Sequence, residues 1–274
     1  MIAFNAAQYE DLKARPHDPY ARTKYDILLG WLGDRPGLRV LNAGCGSGEL
    51  SLRLAERGHR VTGIDPQPAH VKLARSRAGA AGGRCTFEVA AIEDYDGPAD
   101  FDCAIATDVL EHIADDRTAF SKLCRLVRPG GRVLIAVPAG VWLMGHHDRQ
   151  LGHFRRYSRR ELVELAGEFC AVRRVRHFGF SLIPVCYLYS RWLRRSYPVA
   201  PPAGLAGVVR ELLLRGLLCC DRWLPMPVGT SLLLEGYKTG VHSFLAARRR
   251  RRRLVAAPAA PTPTARLPVC SIGR

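Results

Sequence analysis

The chain has 274 residues, 41 of them Lys or Arg against 25 Asp or Glu, for a formal net charge of +16. Its 47% hydrophobic and 24% charged residues are ordinary for a globular protein, and the length suits one large domain or one domain with an appendage. This composition excludes a wholly disordered or collagen-like chain, and no apolar run approaches the ~18 residues of a membrane span.

The start, Met1 to Asn5, turns polar quickly and lacks the apolar core of a signal peptide. The nine cysteines form no CxxC pair, only the adjacent Cys219-Cys220. Without an export signal, that scatter reads as reduced thiols in a cytoplasmic protein, not as a disulfide frame or a zinc site.

Residues 1–36 read as a helical segment, with Tyr20, Tyr25, Ile27, Leu28, Trp31 and Leu32 as a loosely periodic apolar set. Residues 37–178 alternate short β-like runs with helical patterns. Arg39–Ala43 is a strand ending at glycines, and Glu49–Arg57 a helix that Gly58 stops. Arg60–Ile64 is a second strand, ending at Asp65, followed by a helix over 69–78. Strands over Cys85–Val89 and Phe101–Ala106 follow. Asp115 is placed to cap a helix carrying Ala119, Phe120, Leu123, Leu126 and Val127 at the 3.6 period. Pro129-Gly130-Gly131 breaks that helix, and Arg132–Val137 is a fifth strand. Arg173–His177 and Ser231–Lys238 are the candidates for two more. Alternating strands and helices imply a parallel sheet covered on both faces, with ligands beyond the carboxyl ends of its strands.

The first strand leads into Gly44-Cys45-Gly46-Ser47-Gly48, whose glycines allow a tight turn and a close approach to a ligand. A dinucleotide turn would space them GxGxxG and set a pyrophosphate on the helix N-terminus. Here the spacing is GxGxG, and Glu49 stands where the third glycine of that motif would fall. An acid there repels a pyrophosphate. Asp65, at the end of the second strand, is placed to accept both hydroxyls of a ribose. The physical reading is a nucleoside without phosphate.

These residues, with Phe101-Asp102, Val109-Leu110-Glu111-His112 and Arg128-Pro129-Gly130-Gly131, resemble the class I S-adenosylmethionine-dependent methyltransferases. The resemblance covers residues 37–140. It implies a three-layer α/β Rossmann-like fold with a seven-stranded, mostly parallel sheet whose last two strands are antiparallel. It implies S-adenosylmethionine as cofactor, held by Asn42, Gly44, Cys45, Gly46, Gly48, Asp65, Ala91, Ile92, Glu93 and Thr107. Two positions depart from the family pattern. Asn42 stands where an acid usually positions the methionine amino group. Ala91 falls near where an acid usually contacts the adenine amino group, which implies either weaker cofactor affinity or substitution by Glu93, two residues on.

The acceptor is expected at the ends of strands four and five. Thr107, Asp108, Glu111 and His112 lie just past strand four, and His112 reads either as catalytic or as a structural histidine. Past strand five comes Gly145-His146-His147-Asp148, followed by Gly152-His153-Phe154-Arg155-Arg156-Tyr157. Methyl transfer to O–H or N–H requires loss of a proton, and histidine suits that near neutral pH. The expected general base is His147 oriented by Asp148, with His146 and His112 as competitors. His153, Arg155, Arg156 and Tyr157, with Asp108 and Glu111, are the candidates to bind the acceptor. The equal alternative has Arg155, Arg156 and Tyr157 capping the helix from Arg159 and pinning the loop. No metal is expected, because the adjacent histidines of the His146, His147, Asp148 and His153 group do not easily converge on one ion.

Residues 179–230 form an apolar, Arg-edged helical insert before the final strand and end of the fold at 231–245, read as core or lid, with a membrane interface as the minority reading. Residues 246–274 hold eight arginines and no acid, read as a disordered tail. The Arg248–Arg253 run reads by default as a solvated tail; it raises the minority reading of peripheral contact with an anionic membrane, and no specific nucleic acid is expected. Arginine outnumbers lysine 36 to 5, which base-composition bias explains better than nucleic-acid contact. The reading is a methyltransferase acting on a small-molecule or lipid-linked acceptor, O-methylation first. Its rivals are an inactive methyltransferase-like binding or accessory protein and a nicotinamide-dependent oxidoreductase.

Overall fold

The computed structural model describes residues 18–195, 205–224 and 226–239. The expected basic tail, and the first half of the N-terminal segment, lie outside the described residues.

A seven-stranded sheet runs in the order β3-β2-β1-β4-β5-β7-β6. Its strands are β1 (Arg39–Ala43), β2 (Arg60–Asp65), β3 (Cys85–Val89), β4 (Phe101–Thr107), β5 (Val127–Pro138), β6 (Ala171–Phe178) and β7 (Ser231–Tyr237). The first five are parallel, and β7 enters antiparallel between β5 and β6. The order reverses at β1 and β4, which places the ligand crevice beyond the carboxyl ends of those strands.

Period-two alternation sends the strand side chains to two cores. Val40, Ile105, Leu134 and Leu233 face one layer, made of helices α1 (Pro19–Leu32), α2 (Glu49–Glu56) and α3 (Pro68–Ala78). Leu41, Ala104, Ile135 and Leu234 face the other, where α4 (Asp116–Leu126) and, after the short α5 (His146–Leu151), α6 (Arg159–Ala166) pack. The insert consists of α7 (Ile183–Tyr187), a π-helical turn over Leu188–Trp192, and the 19-residue α8 (Leu205–Trp223).

The expected elements are present. Asp115 caps α4 by accepting from the Thr118 N–H. One boundary differs: β5 starts at Val127, not Arg132. Val127 pairs with Phe101, and an irregularity before Cys103 absorbs the Pro-Gly-Gly segment. Gly130 N–H donates to the Lys238 carbonyl, and Lys238 N–H to that of Gly131, so the segment continues the sheet edge.

Helix α1 is fixed at both ends. Asp18 caps its start, while the Arg132 guanidinium donates to the Trp31 and Leu32 carbonyls at its end. Arg132 also lies 3.7 Å from the fully buried Glu235 of β7, which Arg174 of β6 contacts at 2.5 Å. Burying a carboxylate is costly unless charged or hydrogen-bonding partners surround it.

Candidate active site

The turn after β1 takes its shape from its glycines. Gly44, Gly46 and Gly48 have φ of 66°, 52° and 82°, the left-handed region that disfavours side chains. A Cβ at Gly44 would stand 2.3 Å from Val109 Cγ2, so that glycine also lets the turn pack against the loop after β4. Cys45 N–H closes the turn on the Ile64 carbonyl at 2.9 Å. Burial, aided by the neighbouring Asp65, pushes the Cys45 thiol pKa upward, which disfavours its thiolate form.

Asp65 is buried at the end of β2. Its Oδ2 accepts from Gly46 N–H at 3.0 Å; its Oδ1 accepts from Gln67 N–H at 2.9 Å and meets His70 Nδ1 at 2.9 Å. A carboxylate offers about four acceptor positions, so the fold leaves capacity for about one ligand hydroxyl where the sequence suggested two. Neither Gln67 nor His70 was singled out from sequence; the signal for His70 was its place in the first turn of α3, five residues after Asp65.

Asn42 tests whether the site fits S-adenosylmethionine. It is buried at the end of β1, and its Nδ2 donates to Ser51 Oγ at 2.8 Å. Its Oδ1 is buried with no hydrogen-bond partner among the described residues. An orphaned acceptor there suits a bound ammonium such as the methionine amino group. After β3, Asp94 N–H turns back to the Ala91 carbonyl at 3.2 Å; Ile92 enters the core, and Glu93 is exposed. Thr107 is buried at the end of β4.

The acceptor side departs from expectation. Asp108 adopts φ 56°, strained for a non-glycine residue, and its Oδ2 lies 2.5 Å from Lys24 Nζ. Lys24 is 2% exposed and sits 5.3 Å from the centre of the Tyr20 ring. Sequence reading missed Lys24, although its spacing from Ala21 and Leu28 put a charge on the apolar face of α1. As one member of a buried ion pair, Asp108 is tied to α1 rather than simply presented to an acceptor.

Asp148 is fully buried in the first turn of α5. Its Oδ1 meets His153 Nδ1 at 2.9 Å and accepts from Arg156 Nε at 2.7 Å, while Oδ2 accepts from Gly145 N–H at 2.9 Å. Burial raises its pKa, but His153, Arg156 and the Gly145 N–H outweigh this and hold the carboxyl at about 2. The histidine that Asp148 holds is thus His153, not the expected His147. Helix α5 ends at Gly152 with φ 75°, and the reversal brings His153 N–H to the Asp148 carbonyl at 2.9 Å. His147 stands half-buried on α5. His146 lines a cavity of about 590 Å³ with Arg149, Tyr187, Ser190, Trp192 and Arg194.

The His153 ring meets His112 edge-on, with centroids 4.7 Å apart. Phe154 N–H donates to the carbonyl of the fully buried Glu111 at 2.8 Å. Glu111, His112 and His153 each bring one ligand-type atom within 4.8 Å of the others. Of the four residues weighed as metal ligands from sequence, only His153 belongs to this group.

Arg155, Arg156 and Tyr157 pin the loop. Tyr157 Oη donates to Asp116 Oδ2 at 2.7 Å, and the Arg155 guanidinium lies 2.9 Å from the same carboxylate. Arg156 donates to the Ala139 carbonyl at 3.1 Å. The cap of α6 is a different pair, Ser158 with Glu161. These contacts fit the loop-pinning alternative weighed for the three residues.

Residues 40–131 match the family described as "Methyltransferase domain". The chain is 44% identical over 102 residues to a ubiquinone biosynthesis O-methyltransferase of Methylocella silvestris, covering 36% of this chain and 40% of that protein. It is 34% identical over 153 residues to the protein of that name from Idiomarina loihiensis, covering 51% and 63%. The chain thus spans about half the length of the curated relatives it matches. Among solved structures, the magnesium protoporphyrin IX methyltransferase of Synechocystis PCC 6803 with bound S-adenosylmethionine superposes with TM-score 0.51 at 20% identity, over 79% of this chain and 78% of that one. A TehB-like methyltransferase of Corynebacterium glutamicum gives 0.54 at 17% identity, over 86% and 100%. These structures show the fold. Residues 40–131 thus resemble a methyltransferase domain, on the fold of the S-adenosylmethionine-dependent methyltransferases, whose cofactor is S-adenosylmethionine. The matches lend no support to the inactive or oxidoreductase rivals. Among the described residues, no helix is long and apolar enough to cross a membrane.

Proposed function

We propose that the protein transfers the methyl group of S-adenosylmethionine to a hydroxyl of a small, lipid-linked acceptor, with His153 as general base and Asp148 as its orienting carboxylate. The observation that carries this is the 2.9 Å contact between Asp148 and His153, beside His112 just past β4. The relatives named as ubiquinone biosynthesis O-methyltransferases support oxygen as the methylated atom and a lipid-linked acceptor.

When bound, S-adenosylmethionine supplies an electrophilic methyl group on a sulfonium. Asn42 Oδ1 would accept from its amino group, and Asp65 would accept from one ribose hydroxyl. Asp148 stays ionised at neutral pH and accepts a hydrogen bond from His153 Nδ1–H, leaving Nε2 as the basic nitrogen. Nε2 then removes the acceptor proton, and Asp148 stabilises the imidazolium that forms. Arg156, Arg155 and Tyr157 hold the loop so that this ring stays in place.

A second reading rests on the convergence of Glu111, His112 and His153. A divalent cation held there would bind the acceptor oxygen and lower its pKa, making His153 a ligand instead of a base. The test is transfer of labelled methyl to a panel of catechols and polyprenylated phenols, with and without a chelator. The base reading expects an unchanged rate under chelation and a fall of about 10²–10⁴-fold in His153→Ala. Loss of activity under chelation, restored by added Mg²⁺ or Zn²⁺, would establish the cation reading. Absence of transfer to every acceptor, with S-adenosylmethionine still bound, would support the inactive alternative.

A further inference from the structure

Helix α8 is apolar on both of its faces. Inward, Leu214 and Leu218 join the core beside α1, and the buried Asp221 accepts from Ser181 N–H at 3.1 Å and Ser181 Oγ at 2.8 Å. Outward, Val208, Val209, Leu212, Leu213, Leu217 and Trp223 are 48% to 73% exposed. At 100° per residue these six positions span about half the helix circumference. Gly216 falls among them, and a Cβ there would meet nothing within 4 Å. The charged side chains described on this helix lie elsewhere: Arg215 pairs with Glu211 at 2.5 Å along one edge, and Arg222, on that side, lies 3.6 Å from Asp26. Monomeric proteins rarely leave so many large apolar side chains contiguous and exposed.

We propose that this outward face lies in the interface of an anionic lipid bilayer, its apolar side chains at the headgroup–acyl boundary. A helix with an apolar face, arginines along its edge and a Trp near its end has the makeup of an interfacial helix. Charge selects the bilayer over a second copy of this chain. Each copy carries +16, so two copies repel, whereas an anionic surface attracts. Arg194 and Arg195, exposed just before the stretch that leads into α8, add to that attraction. A spanning orientation is not required, since no described helix is long and apolar enough to cross. The inference stands apart from the methylation reading, though a lipid-linked acceptor would be met at such a surface.

The experiment is co-sedimentation of the full chain with vesicles of phosphatidylcholine alone or with about one third phosphatidylglycerol. The double variant Leu212→Asp/Leu213→Asp is run beside the wild type, with its fold checked by circular dichroism and melting temperature. Both positions are exposed, so the fold is expected to persist. The wild type should pellet with anionic vesicles, less in high salt and far less with phosphatidylcholine alone. The variant should lose at least tenfold in partition coefficient. The C-terminal arginines are the same in both proteins, so equal binding by the two would assign attachment to the tail and overturn the proposal. It is equally overturned if the wild type stays in the supernatant, or if sedimentation velocity shows a dimer that the variant abolishes while vesicles bind neither protein.

Discussion

Asp148 and His153 sit at opposite ends of one short reversal and face each other at 2.9 Å, Oδ1 to Nδ1. Helix α5 places Asp148 in its first turn, where its carboxylate also accepts from the Gly145 N–H. Gly152, in the left-handed conformation, turns the chain so that the next side chain comes back over that carboxylate. Arg156 holds Asp148 from the other side at 2.7 Å. The ring is therefore fixed in one tautomer before any substrate arrives.

That arrangement sets an order among variants. His153→Ala should keep S-adenosylmethionine affinity within about twofold and lose roughly 10²–10⁴ in turnover. Asp148→Asn should lose turnover as well, because an amide no longer favours the Nδ1–H tautomer and leaves Arg156 without its carboxylate. His147→Ala should retain most of the wild-type rate. Single-turnover methyl transfer on the first acceptor found, with calorimetry for cofactor binding, measures all three. Normal turnover in His153→Ala with failure in His147→Ala would return the base to the residue the sequence suggested.

Asp65 gives a prediction about cofactor binding alone. Its three protein contacts leave about one acceptor position for a ligand hydroxyl, and a hydrogen bond to a charged group is worth about 1.5–3 kcal/mol. Asp65→Asn should weaken S-adenosylmethionine binding by roughly 10- to 100-fold. Because Gly46, Gln67 and His70 also depend on this side chain, Asp65→Ala should weaken it further and lower the melting temperature. Equal affinity in wild type and Asp65→Asn would remove this carboxylate from the cofactor site.

The parallel half of the sheet was legible because its signals are local. Apolar runs of four to six residues, the GxGxG turn and an acid ending the next strand each sit within a few residues of one another. What escaped were relationships made by tertiary packing. Lys24 was not singled out from sequence, but α1 docks with that face inward and carries its ammonium to Asp108. The partner of Asp148 was sought next door in sequence, whereas the glycine reversal supplies it from five residues on. Pro129-Gly130-Gly131 read as the breaker of the helix, but α4 already ends at Leu126, and the sheet accepts the segment through an irregular register. The pinning of Arg155 and Tyr157 on Asp116 spans about forty residues and leaves no periodic trace.

The Lys24–Asp108 pair predicts a stability effect with a built-in control. Removing one partner of a buried pair leaves the other charge without compensation, at a cost of about 3–5 kcal/mol. Asp108 keeps some solvent contact, so Lys24→Met should cost near the lower end of that range in urea unfolding. Adding Asp108→Gly should restore much of the loss, since it removes the carboxylate that Lys24 faces and relieves the φ of 56°. If the double variant is no more stable than Lys24→Met, the pair is not what holds α1 at the site.

A last prediction concerns acid pH and a histidine far from the chemistry. His59 is 1% exposed, and neither of its ring nitrogens has a hydrogen-bond partner among the described residues. Burial, reinforced by Arg57 and Arg132, holds its pKa below the usual histidine value of 6.5. Burial and Arg159 act on His177 of β6 in the same direction. In the unfolded chain both take up protons near pH 6.5, so the unfolded state binds more protons than the native one between that pH and the lower folded values. Stability therefore rises with pH across this window: it is full above 6.5 and declines as pH falls through it, by up to about 1.4 kcal/mol per pH unit per histidine. Asp148 acts in a separate window. Its folded pKa of about 2 gives stability that is present above the unfolded carboxylate value and is lost only as pH falls toward 2. Denaturant unfolding at pH 7.5, 6.5, 5.5 and 5.0 should show the histidine-linked decline in the wild type. His59→Leu should flatten part of it, leaving the share due to His177, and should lose little stability at pH 7.5 because no hydrogen bond is removed. An undiminished slope in His59→Leu would mean that other groups carry the acid sensitivity and that this ring is protonated equally in the folded and unfolded chains.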